Sequence, residues 1–212
     1  MKLIVISSSD TALENEAQII TNLFEAGLET FHLRKHKLST KKTKQLLKSI
    51  PAHFHNRIVI HSHHKLAYKF NLKGIHLTKT HIKQKVKTWF TLKLIRLKNP
   101  EVIITTSYSN IGQILNPEHK YNFSYVFLSP IFDSLNSKFQ GGFTEHSLRS
   151  AIQKTSFQVV GRGGVDISVI EKANAIGFHG LAFYSSIWKK KDPLAEFNKL
   201  VEKYQELKIP IE

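Results

Sequence analysis

The chain has 212 residues, 41% hydrophobic and 22% charged, with 31 Lys and Arg against 16 Asp and Glu, a formal charge of +15, and no cysteine. That length suits one domain with a sizeable core, and the missing cysteines exclude a disulfide framework and thiolate metal sites. Near the start only Leu3 to Ile6 is apolar, and no later run approaches ~18 apolar residues, so a cytoplasmic protein with no membrane partner is expected.

Eight short β-branched runs recur along the chain: Leu3–Ser7, then 30–35, 57–62, 74–78, 102–107, 125–132, 158–164 and 180–186. The stretches between them read as helices. Thr11 with Glu14 predicts a capping box, followed by Leu13, Ala17, Ile20 and Phe24 on one helical face before Gly27. The segment 81–98 is Lys-rich with a less distinct pattern, and 110–117 is short. Asp166 can cap a helix carrying Ile167, Ile170 and Ala173. Asp192-Pro193 opens a last helix with Leu194, Phe197, Leu200, Val201 and Tyr204 at amphipathic spacing. Eight strand–helix alternations predict a parallel sheet, and the count favours a closed (β/α)8 TIM barrel formed by residues 1–212 as a single domain.

In such a barrel the polar residues at the C-terminal strand ends are the candidates for chemistry. The second strand supplies His32, Arg34 and His36 at period two, so all three could share a face. The third ends in His61 and Ser62, the fourth in His76 and Thr78 with His81 following, and the fifth in Thr105 and Ser107. Gly161, Gly163 and Gly164 end the seventh strand; Tyr184, Ser185 and Ser186 end the eighth. Glycines leave backbone N–H groups open to an anion, and with the hydroxyls of the next strand end they predict a phosphate site.

These segments resemble the thiamine phosphate synthase superfamily, which includes a thiazole tautomerase branch. "FHLRKH" looks like its Gln-x-Arg-Glu-Lys segment and "GIHLTKTH" like Gly-Val-His-Leu-Gly-Gln-x-Asp. "TTSYS" is similar to Gly-x-Ser-x-His, and "SPIFDSLNSK" to Gly-Pro-x-Phe-x-Thr-x-Thr-Lys with one extra residue. "GRGGV" and "GLAFYSSI" match the closing glycine and serine segments. The resemblance implies a transferase of thiamine biosynthesis that joins hydroxymethylpyrimidine diphosphate to thiazole phosphate and releases pyrophosphate. Carried over residue by residue, it implies that Arg34, Ser107 and Lys138 contact diphosphate and that Ser134 and Ser137 position the thiazole. Gly163, Gly164, Tyr184 and Ser185 would cradle its phosphate.

Four positions depart from that pattern. The family's Asn-Asp pair after the third strand reads His61-Ser62, its aspartate after the fourth reads His81, and its diphosphate lysine reads His36. Magnesium carried by the diphosphate would therefore lack its expected carboxylates. The implied set is Arg34, His61 and Lys138 as catalytic groups, with His32 and His36 beside the substrate.

Two alternatives remain open: a tautomerase-like isomerase using His32 or His61 for proton transfer, and a catalytically inactive barrel that binds a phosphorylated ligand or nucleic acid. The isomerase branch carries a histidine where this chain has Pro130. Lys41, Lys42, Lys44 and Lys48, and Lys83, Lys85 and Lys87, read as solvated surface in preference to a nucleic-acid face. Expected partners are phosphorylated small molecules, with a homodimer left open. His32, His61 and His76 could suit zinc, but the preferred reading is hydrogen-bonded polar residues and no metal. His53, His55, His63, His64 and His179 read as surface or loop.

Overall fold

A computed structural model describes residues 1–8, 13–117, 121–132 and 142–212. All eight β-branched runs form parallel strands: β1 (Lys2–Ile6), β2 (Thr30–Leu33), β3 (Ile58–Ile60), β4 (Gly74–Leu77), β5 (Ile103–Tyr108), β6 (Tyr125–Leu128), β7 (Val159–Arg162) and β8 (Gly180–Phe183). They close in sequence order into an eight-stranded (β/α)8 barrel, as the alternation predicts. The helices are α1 (Glu16–Glu25), α2 (Thr40–Lys48), α3 (Lys65–Phe70), α4 (Lys79–Lys83), α5 (Lys85–Lys98), α6 (Ile111–Leu115), α7 (Glu145–Lys154), α8 (Ile170–Ile176), α9 (Ser185–Trp188) and α10 (Pro193–Glu206). None of them is long and apolar enough to cross a membrane.

The chain divides into two compact units, Ile6–Thr105 and Met1–Val5 with Thr106–Glu212. In the first, β2 pairs with β3 in the register His32↔Val59, and β3 pairs with β4 at Val59↔Gly74. A side chain at Gly74 would collide with the backbone of Ile103, which explains glycine there. Phe24 packs edge-on against Phe31 at 6.0 Å and stacks on Phe54 at 5.2 Å. The Arg57 guanidinium lies over Phe54 and donates to the carbonyls of Phe24 and Leu28, so this cation closes the end of α1.

Several local expectations change here. The first helix begins at Glu16, not near Thr11, which lies outside the described residues. Asn15 precedes it at φ 58° without a side-chain cap, and Leu13 is exposed. The 81–98 segment is two helices, broken where Gln84 leaves helical geometry. His55 belongs to the core, not the surface: it is buried, with Nε2 donating to the carbonyls of Leu47 and Ile50.

In the second unit, β1 pairs with β8 at Lys2↔Gly180, β6 with β7 at Phe127↔Val160, and β7 with β8 at Gly161↔Leu181. Asp192 caps α10 by accepting from Ala195 N at 3.0 Å, and Phe197, Leu200 and Tyr204 form its buried face. Asp166 accepts from Ser168 N as a cap, but a short 3₁₀ turn over Ile167–Val169 intervenes before α8. Ile170 and Ala173 therefore face the core while Ile167 stays exposed.

Candidate functional site

Three strands of the first unit deliver a buried chain of imidazoles. His32 lies in β2, His61 directly follows β3 and His76 lies in β4; all are buried. His32 Nδ1 and His61 Nε2 are 2.8 Å apart, so one ring donates and the other accepts. His61 stacks on His76 with centroids 4.0 Å apart and planes 14° from parallel. His76 Nδ1 meets Thr105 Oγ1 at 2.9 Å. Thr105, from β5, is fully buried and completes a path from His32 to the fifth strand.

Ring nitrogens of His32, His61 and His76 lie within 4.8 Å of one another. An ion bound by imidazole sits in the ring plane, along the nitrogen lone pair. The planes of His61 and His76 run side by side and do not converge there. One ring must turn before all three can hold an ion; in this arrangement the cluster is a chain of hydrogen-bonded His32 and His61, with His61 stacked on His76 and His76 bonded to Thr105.

The period-two reading of His32, Arg34 and His36 holds only for part of its length. β2 ends at Leu33, and His36 is exposed in the following turn, whereas His32 is buried. Arg34 is half-buried, with its backbone N–H donating to Ser7 Oγ at 2.8 Å. Between them, Lys35 is directed into the unit. Its Nζ pairs with Glu16 Oε1 at 2.8 Å, with side-chain exposures of 0% and 1%. Burial raises the Glu16 carboxyl above its ordinary pKa, against the lowering effect of Lys35. Alternation alone hid this pair, because its two residues are separated by a helix.

The remaining histidines after β3 do not simply face water. His63, at φ 55°, bridges Thr40 Oγ1 through Nδ1 and the Leu38 carbonyl through Nε2, both at 2.8 Å. His64 donates from Nε2 to the His76 carbonyl at 3.1 Å and lies 4.3 Å from the His81 ring. Burial, then the neighbouring His81, pushes the His64 pKa down to about 4. Burial also lowers His81, which bonds Thr78 through Nδ1 in a capping box at α4. His64, His81, Thr80, Gln84 and Lys87 line a 360 Å³ cavity with no acidic residue among its described lining residues.

In the other unit, Ser107 is half-buried within β5. Gly163 and Gly164 follow β7 at φ 82° and 68°, conformations that favour glycine. A Cβ on Gly163 would approach Pro130 within 3.0 Å, while its carbonyl accepts from Ile131 N. Gly164, Ser168, Asp166 and Lys172 line a 340 Å³ cavity. Ser185 and Ser186, at the start of α9, line a second of 440 Å³ with Asp166, Lys189, Lys190 and Lys199. Tyr184 is half-buried immediately before α9. Asp166 thus borders both cavities, an acidic feature absent from the glycine-based sequence reading. Ser134, Ser137 and Lys138 lie outside the described residues.

The family model described as thiamine monophosphate synthase matches residues 3–187. A thiamine-phosphate synthase of Vibrio campbellii is 24% identical over 200 residues, covering 92% of this chain and 93% of that protein. Among solved structures, the thiamine phosphate pyrophosphorylase of Bacteroides thetaiotaomicron is 28% identical with a TM-score of 0.73, covering 97% of this chain and 98% of its own. The thiamine phosphate pyrophosphorylase of Pyrococcus furiosus is 19% identical at a TM-score of 0.75, with 97% and 96% covered, a likeness of fold.

Proposed function

The chain belongs to the thiamine monophosphate synthase family, and from that premise we propose that it is a single-domain, cytoplasmic transferase that joins hydroxymethylpyrimidine diphosphate to thiazole phosphate. The observation carrying this reading is the family match over residues 3–187, which takes in the C-terminal ends of all eight strands. In the proposed reaction the C–O bond to diphosphate breaks, with its electron pair leaving on pyrophosphate. The thiazole nitrogen then supplies the pair for the new C–N bond.

The roles are those the family resemblance implies, and they are consistent with the chemistry of the residues. Arg34, Ser107 and Lys138 bind the diphosphate, whose departure needs cations to take up developing negative charge. Ser134 and Ser137 orient the thiazole. The backbone at Gly163 and Gly164, with Tyr184 and Ser185, holds the thiazole phosphate, and the paired left-handed glycines support this assignment. His61, held by His32 and stacked on His76, offers a fixed ring N–H donor toward the departing diphosphate charge.

Magnesium, which the family implies, does not fit the residues at its expected positions. His61, Ser62 and His81 offer imidazoles and a hydroxyl where a hard cation takes carboxylate oxygen. His61 is engaged with His32 and His81 with Thr78. In this reading, protein cations hold the diphosphate and no step depends on carboxylate-bound metal.

The imidazole chain also supports a second reading, an isomerase that moves a proton on the thiazole. Incubating the chain with both substrates, with and without magnesium, and assaying thiamine phosphate by fluorescence after oxidation tests the first reading. Absence of product together with proton exchange on thiazole phosphate, followed by NMR, would favour the isomerase.

A further inference from the structure

Helix α5 carries two apolar faces. Thr88, Leu92 and Ile95, spaced four and three apart, are buried inward. Val86, Trp89, Phe90, Leu94 and Leu97 follow the same spacing on the opposite face and point out. Val86, Phe90 and Leu97 are 71%, 61% and 76% exposed, and these five make up half of the ten exposed large hydrophobic residues among those described. A ridge of this kind normally marks a contact surface.

The sequence leading into and through it is strongly cationic, with Glu101 the first acidic residue beyond it. From Thr30 to Pro100 there is no Asp or Glu, while 18 of the 31 Lys and Arg fall in that span. Lys85, Lys87, Lys93, Arg96 and Lys98 lie on α5 itself, all exposed. Lys93 Nζ sits 5.1 Å over the Trp89 ring and Lys98 Nζ 5.4 Å over Tyr68. Lys98 also lines, with Lys48 and Lys69, a 730 Å³ groove that joins α5 to α2 and α3.

We propose that the outward face of α5 docks on an anionic lipid bilayer surface, with Trp89, Phe90 and Leu97 entering the headgroup–acyl boundary and the lysines engaging lipid phosphates. Charge complementarity selects this occupant. A second copy packed helix to helix would oppose like charges. A ridge about 21 Å long and ~10 Å wide offers about 200 Å² per protomer, well below the ~800 Å² of a stable interface. Nucleic acid would satisfy the lysines but leave the aliphatic Val86, Leu94 and Leu97 without a base to stack on. A bilayer accepts aromatic, aliphatic and cationic groups together, with lysines extending toward the headgroups. A helix lying on a surface needs no spanning segment, so this contact is compatible with the absence of one among the described helices, although it departs from the expectation of no membrane partner.

Flotation of the full chain with vesicles tests the proposal. Phosphatidylcholine vesicles containing one third phosphatidylglycerol should capture it, pure phosphatidylcholine should not, and raising salt from about 0.1 M to about 0.5 M should release it. The variant Phe90→Glu/Leu97→Glu, with its fold verified by circular dichroism, should lower partitioning at least ~tenfold. Lys87→Gln/Lys93→Gln, which leaves the apolar ridge intact, should weaken capture about fivefold per charge. Equal binding to neutral vesicles, or none to anionic ones, would overturn the proposal. A concentration-dependent dimer or an acidic protein partner that depends on Leu97, without vesicle binding, would equally overturn it, as would salt-sensitive DNA binding unaffected by Phe90→Glu/Leu97→Glu.

Discussion

His61 Nε2 meets His32 Nδ1 at 2.8 Å inside the barrel strands, and the same His61 ring lies flat against His76. One hydrogen bond and one stack therefore fix its orientation. His61→Ala should remove a polar partner from buried His32 and cost about 1–3 kcal/mol of stability. It should also lower kcat by about 100-fold, the loss expected when a fixed donor to developing negative charge is removed. His61→Gln, which can keep the bond to His32, should recover most of the stability but little of the rate. Thermal melts and steady-state rates on both variants separate packing from chemistry.

The stacked planes of His61 and His76 carry a second prediction. Titration with Co²⁺ should give no intense visible bands of a tetrahedral site, because the two rings cannot both point a lone pair at one ion without rearranging. A stoichiometric tetrahedral spectrum that disappears in His76→Phe would show that the rings do turn.

Lys35 and Glu16 form a pair in which both charges are fully enclosed. Replacing Lys35 with Met alone should destabilise the chain by about 3–5 kcal/mol by stranding the carboxylate, whereas Lys35→Met with Glu16→Leu should recover most of that loss. A double-mutant cycle in urea measures the coupling, and additive effects would contradict a buried pair.

The depressed His64 pKa has a definite sign. Between pH 6.5 and about 4 the unfolded chain binds a proton at His64 that the folded chain does not, so stability should fall as pH drops through this window. It should be retained above pH 6.5, and the loss from this group should be complete below about pH 4. His64→Leu should flatten that portion of the acid limb in denaturation curves taken across the range.

Gly163 joins a left-handed backbone to a close approach by Pro130. Gly163→Ala should cost about 1–3 kcal/mol and raise the KM for thiazole phosphate more than that for the pyrimidine diphosphate. Equal changes in both would place the phosphate elsewhere.

The barrel was legible because β-branched runs such as "RIVI" and "VIITT" are short, buried on both faces and separated by helical spacing. The glycines after β7 were legible because backbone geometry demands them. Three features were obscured by their long-range or composite origin. Lys35 carries no distinguishing local signal until α1 places Glu16 beside it. His63 and His64 read as solvent-facing until the carbonyls of Leu38 and His76 appear as their partners. The α5 pattern looked indistinct because two apolar faces overlap in one helix and cancel its amphipathic contrast. His36 shows the opposite error, since period two assigned it to a face that ends with β2 at Leu33.

The proposed transferase activity is tested most directly by incubating the purified chain with hydroxymethylpyrimidine diphosphate and thiazole phosphate in excess chelator, then quantifying both products. Pyrophosphate and thiamine phosphate should appear in equal amounts, and Arg34→Ala should reduce both together. Failure to form either product, in chelator or at any magnesium concentration, while thiazole phosphate still binds, would contradict the transferase assignment.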